Sequence, residues 1–187
     1  MQTVMKKIFS LFVVIIMSVS NMSAQSIYHT WRGMREADET TSSWLYIAFI
    51  DADNSFAMVQ ETSFADEDLS FDITTRAYGL FSFDGEKLNV MVNENETTST
   101  LDDITFSDEM ERQFKKNKAL KANMNNQVRT SFKQTKDDFE KDLNKIAERF
   151  RHCKVVGITS TKLILQMGTD DDAPIEVFEK DDDFALE

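Results

Sequence analysis

The chain has 187 residues, 29% of them charged, and a formal net charge of −12. That balance excludes the cationic footprint of a general nucleic-acid binder. Cys153 is the only cysteine, so no intramolecular disulfide forms, and packing must hold the fold.

Lys6 and Lys7 precede an apolar run from Ile8 to Met17, and small and polar residues then lead to Ser23-Ala24-Gln25. A charged, an apolar and a small-residue region in that order make a secretory signal peptide, cut after Ala24. The run falls short of the roughly 20 apolar residues that a membrane-spanning helix needs. The expectation is therefore a signal peptide over 1–24 and one exported domain over 25–187. That domain is periplasmic or extracellular and does not span a membrane. With no cysteine near the cut, it is not a lipoprotein.

Strands follow. Tyr28 to Gly33 is the first, and Trp44 to Ile50 is the second, closed by the turn Asp51-Ala52-Asp53-Asn54. Phe56 to Gln60 returns. Phe71 to Ala77 and Leu80 to Phe83 read as two more strands, and Asp84-Gly85 marks a hairpin into Leu88, Val90 and Val92. Thr97 to Phe106 is a weaker strand region.

Helix replaces strand over 108–152. Ser107 is placed to cap it, and Asp108, Glu109 and Glu111 fill the first turn, where the helix dipole favours negative charge. Met124, Val128 and Phe132 share one helical face; so do Phe139, Leu143, Ile146 and Phe150. A single rod over 108–152 would be ~68 Å long, against ~40 Å for a compact domain of this size. Two helices are expected, with the break at the poor helix formers Asn123, Asn125 and Asn126. Lys154 to Thr159, Lys162 to Met167 and Ile175 to Phe178 are the closing strands, the last two separated by the turn Gly168 to Pro174.

About nine strands around one helical segment predict a mainly β fold: an antiparallel β-barrel or strongly curved sheet, with helices 108–152 packed on one side. Thr30-Trp31-Arg32-Gly33 and the hairpin Val156 to Leu165 resemble the opening and closing motifs of a lipocalin-like (calycin) family of proteins exported by Bacteroidetes-type bacteria. Ser23-Ala24-Gln25 is similar to the signal-peptide endings of that group. The resemblance covers 27–106 and 154–180. His29 stands where the usual signature has Gly, and the helical segment is longer than the usual connection. The resemblance implies an eight-stranded barrel that holds a small apolar molecule.

Catalytic and metal patterns are absent. There is no G-x-S-x-G and no glycine-rich phosphate loop. Asp51, Asp53 and Ser55 begin like a calcium loop, but Phe56 and Thr62 occupy its glycine and glutamate positions. The clusters at Asp66-Glu67-Asp68, Asp170 to Asp172 and Asp181 to Asp183 read as solvated turn charge. His29, His152 and Cys153 are the whole supply of zinc-type N and S ligands. Adjacent strand residues point to opposite faces, so His152 and Cys153 make no nucleophile–base pair. The expectation is a non-enzyme without cofactor or metal.

Two candidate surfaces remain. Trp31, Trp44, Tyr46, Tyr78, Phe81 and Phe83 are the aromatic residues available to line a barrel mouth and hold an apolar ligand. Residues 112–136 carry Arg112, Lys115, Lys116, Lys118, Lys121, Arg129, Lys133 and Lys136 and no acid. Lys115, Lys116, Lys118 and Lys121 are the candidates for contact with an envelope protein or an anionic glycan. The first surface makes the protein a carrier of a small apolar ligand. The second makes it a structural or interaction module.

Overall fold

The structure, a computed structural model, describes residues 26–184. The expected signal peptide lies outside the described residues. Ten strands form one sheet: β1 (Thr30–Ala37), β2 (Thr41–Ile50), β3 (Ser55–Ala65), β4 (Leu69–Phe83), β5 (Lys87–Val92), β6 (Thr98–Leu101), β7 (Thr105–Phe106), β8 (Cys153–Ile158), β9 (Lys162–Gln166) and β10 (Ile175–Lys180). Eight of them close a ring in the order β1-β2-β3-β4-β5-β8-β9-β10, antiparallel throughout. The fold is thus a closed barrel with two helices beside it, α1 (Asp108–Lys116) and α2 (Lys118–Arg149).

Alternation builds the barrel. Leu45, Ile47 and Phe49 of β2 point inward with Phe56 and Met58 of β3, Leu88 and Val90 of β5, and Leu163 and Leu165 of β9. Just before β1, Ile27 is buried and its carbonyl accepts a hydrogen bond from Trp31 Nε1 at 2.9 Å. Ring closure is thin at two seams: β5 and β8 share only the pairs Lys87–Lys154 and Leu88–Cys153, and β1 and β10 only Trp31–Lys180 and Arg32–Glu179. The last turns of α2 lead into β8, and Leu143, Ala147 and Phe150 complete the core. Phe150 sits between Phe56 and Phe178, with ring centroids 6.5 and 5.9 Å away. Side chains fill the interior, as they do in small barrels.

Two local readings are corrected. Residues 71–77 and 80–83 are not separate strands but parts of the 15-residue β4. Gly79 is not a break; a Cβ there would lie 2.0 Å from the Met91 carbonyl oxygen, so glycine lets β4 and β5 approach. The helix break falls at Asn117 rather than at Asn123–Asn126. Asn117 ends α1 and its side chain accepts from Leu120 N, capping α2. The other asparagines cost only fractions of a kcal/mol each, which an anchored helix absorbs.

β3 and β4 continue beyond the ring. They pair from Ser55–Leu80 to Ala65–Ser70. β5 occupies only the second half of β4; along the first half its place is taken by β6 and β7. A sheet extension of β2, β3, β4, β6 and β7 therefore projects from the open end, and α2 passes over it.

Candidate functional site: an apolar groove beneath α2

α2 is held at its two ends. At its start, Leu120 and Met124 pack with Leu69 and Ile104 around Phe106, Met110 and Phe114. Towards its end, Asn144 accepts from Thr97 Oγ1 at 2.6 Å, and Glu140 Oε1 accepts from the Ser99 backbone N–H at 2.9 Å. In the last turn, Arg149 and Arg35 share Glu176, with Arg35 Nη1 2.9 Å from its second oxygen. Arg35 is the residue at which β1 shifts register between Met34 and Glu36, a bulge that re-aims its side chain.

Between these anchors the helix stands off the sheet. The space beneath it is a groove of about 490 Å³. Its floor is Phe64 of β3 with Leu69, Phe71 and Ile73 of β4, and its roof is Met124, Val128, Phe132 and Phe139 of α2. Gln127, Ser131 and Thr135 form the polar edge. Phe64 stacks on Phe71 with centroids 5.0 Å apart and meets Phe139 edge-on at 6.4 Å. Apart from the buried Ile73, the apolar side chains of the groove are half-buried, because the helical face expected at Met124, Val128 and Phe132 meets the sheet only loosely.

A polar belt separates groove from barrel core. Along the inner face of β3, Phe56 and Met58 give way to Gln60 and Thr62 before Phe64; on β4, Ala77 gives way to Thr75 before Ile73. Gln60 Nε2 donates to Ser43 Oγ at 2.9 Å, and the Ser43 and Thr62 hydroxyls are 3.3 Å apart. Thr75 and Ser99 hydroxyls pair at 2.9 Å. Each buried hydroxyl of this belt has a partner, as desolvation requires.

The six aromatic candidates do not share one surface. Trp31 and Phe81 belong to the barrel core, and Phe83 packs against it. Trp44 faces outward under the Arg32 guanidinium, 5.2 Å from its ring centroid. Tyr46 is also on the outer face, stacked on Phe184 at 4.0 Å. Tyr78 is exposed on outer β4, beside Leu80 and Met91. Bulky aromatic type does not reveal which face of a strand a residue occupies. The signal for the groove is the return of apolar residues on β3 and β4 after a polar interruption.

The basic candidates divide. Lys115, Lys116 and Lys118 are exposed and have no ion-pair partner among the described residues. Lys121 is engaged: it pairs with Glu111 and lies 5.8 and 5.6 Å from the Phe106 and Phe114 ring centroids.

Several acids have structural work. Asp38, Asp66, Asp84 and Asp181 each accept two backbone N–H bonds across their own turns. These bonds hold the Asp38 and Asp84 carboxyls below their ordinary range. Among the described residues no three His, Cys, Asp or Glu side chains gather as metal ligands. His152 faces outward to Asn89 at 2.8 Å, while Cys153 points into the core, its thiol pushed up to about 11 by burial. His29 lies edge-on to Trp31, its imidazole held below the ordinary value by burial and by Lys180. A second depression, about 710 Å³, lies on the outer surface around Leu80, Met91, Asn89 and His152. Of its apolar members only Phe81 is buried, while Leu80 and Met91 are more than half exposed, so it offers a ligand less shelter than the groove.

Fold and site together define an antiparallel β-barrel domain with an apolar groove under an accessory helix. Comparison of the chain with known protein families, with curated proteins and with solved structures found no match.

Proposed function

We propose that this protein is an exported, lipocalin-like binding module that holds a small apolar ligand without transforming it, and that the ligand lies in the groove beneath α2 rather than inside the barrel. One observation carries the reading: a groove of about 490 Å³, eight of whose eleven lining side chains are apolar, left open between two otherwise well-anchored layers. Its size and lining are those of small-molecule sites. The barrel interior is already occupied by Trp31, Phe56, Phe150 and Phe178.

Native mass spectrometry of the exported protein tests it. The expected result is a chain lacking residues 1–24 and carrying apolar adduct mass that a neutral naphthylamine probe displaces saturably. Neither adduct nor saturable probe binding would sink the reading.

Exposed, unpaired Lys115, Lys116 and Lys118 favour a second reading, contact with an envelope protein or anionic glycan. Reversing all three to Glu should then abolish capture of that partner while leaving probe binding intact.

A further inference from the structure

The cations of α2 are arranged unevenly. In its second half each has an acid: Lys136 pairs with Glu140 at 3.4 Å, Lys141 with Asp138 at 4.0 Å, Lys145 with Asp142 at 2.8 Å, and Arg149 with Glu176. Over the groove, residues 118–136 contain no acid, and Arg129 and Lys133 have no ion-pair partner among the described residues. Arg129, Lys133 and Lys136 are spaced 4 and 3 apart and so form one edge of the helix. Arg129 and Lys136 flank Phe132, a roof residue of the groove, at i−3 and i+4. The opposite edge, Gln127, Ser131, Gln134 and Asp138, carries no cation. In a protein of net charge −12 this leaves local positive charge beside an apolar slot.

We infer that the groove takes a single-chain amphiphile with an anionic head. The chain lies between α2 and the β3–β4 extension, and the head meets Arg129 at the groove's edge, with Lys136 and then Lys133 behind it. This rests on the groove reading above. One chain is committed to because the groove has the volume of one small ligand. Charge sets the orientation: Asp66 lines the neighbouring depression that shares Phe64, Leu69 and Phe71, so the anionic head is disfavoured on that side and favoured at the cationic edge of α2.

Decanoate, decanol and decyltrimethylammonium have comparable chains and differ in head charge. Each is titrated below its micelle concentration against the mature protein and against Arg129→Glu/Lys133→Glu. Both positions are exposed, so the variant should retain the wild-type melting temperature. The wild type should bind decanoate about three- to tenfold more tightly than decanol and decanol more tightly than the cation, as two exposed pairs allow. The preference should shrink at high salt and vanish or invert in the variant, while decanol affinity stays unchanged. Equal binding of decanoate and decanol by the wild type overturns the anionic head and leaves the groove reading standing. If none of the three binds, both fall.

Discussion

Thr135→Trp isolates the groove from the rest of the molecule. Thr135 lines the groove, and its hydroxyl bonds only to the Ser131 and Phe132 carbonyls of its own helix, at 3.2 and 3.4 Å. Removing it therefore orphans no partner. A ten-carbon chain wholly withdrawn from water would gain about 8 kcal/mol at ~0.8 kcal/mol per methylene. The groove is open along one side, so about two thirds of that, ~5.5 kcal/mol, is a fair expectation, or a Kd on the order of 100 μM. An indole laid into the same space presents roughly 150–250 Å² of surface and displaces about four methylenes. At the same two-thirds burial the loss is ~2 kcal/mol, about thirtyfold in Kd. Isothermal titration with decanoate measures it, and thermal unfolding should show a melting temperature equal to or above the wild type. Decanoate affinity within threefold of wild type, in a folded variant, would refute the assignment of the chain to this groove.

Phe150→Ala should cost about 3–5 kcal/mol in urea unfolding, because this side chain is fully buried between Phe56 and Phe178. Gly79→Ala should cost about 3 kcal/mol or more and weaken hydrogen-exchange protection in β5, since the new methyl meets backbone rather than a side chain that yields. Cys153 should resist alkylation in the native state at pH 8 and react on unfolding. Its raised pKa also sets a stability window. The folded protein keeps a proton that the unfolded thiol releases near 9.0, so the contribution is whole below pH 9 and is lost as pH climbs through about 11. Cys153→Ala should remove a stability loss on the order of 2–3 kcal/mol across that range. An unchanged slope in the variant would contradict the burial account.

Most of the fold is legible because period-two alternation is a local signal. Leu45, Ile47 and Phe49 announce β2, and Asp84-Gly85 announces the turn into β5. The errors arise where a residue has two meanings. Tyr78 and Gly79 fall in the gap between two expected strands, and Gly79 serves close strand approach. Asn123, Asn125 and Asn126 read as the break, whereas Asn117, of the same residue type, is selected by the geometry of its cap. The groove was half legible. Met124, Val128 and Phe132 form a helical face in the sequence, but the floor they cover lies about sixty residues upstream. The aromatic candidates failed to gather because parity along a strand sends Trp31 inward and Trp44 outward, and that register depends on pairing rather than on side-chain type.

The polar belt of Ser43, Gln60, Thr62, Thr75 and Ser99 has a consequence for how this chain tolerates change. It acts as a bulkhead between two oily compartments. Residues on the barrel side answer to stability, whereas Phe64, Phe71, Val128 and Phe132 answer to whatever the groove admits. Because the two sets alternate with polar neighbours along the same strands, the contents of one compartment are replaceable without repacking the other. On the proposed ligand reading, new preferences are selectable at Phe64, Phe71, Val128 and Phe132 while the barrel keeps its melting temperature.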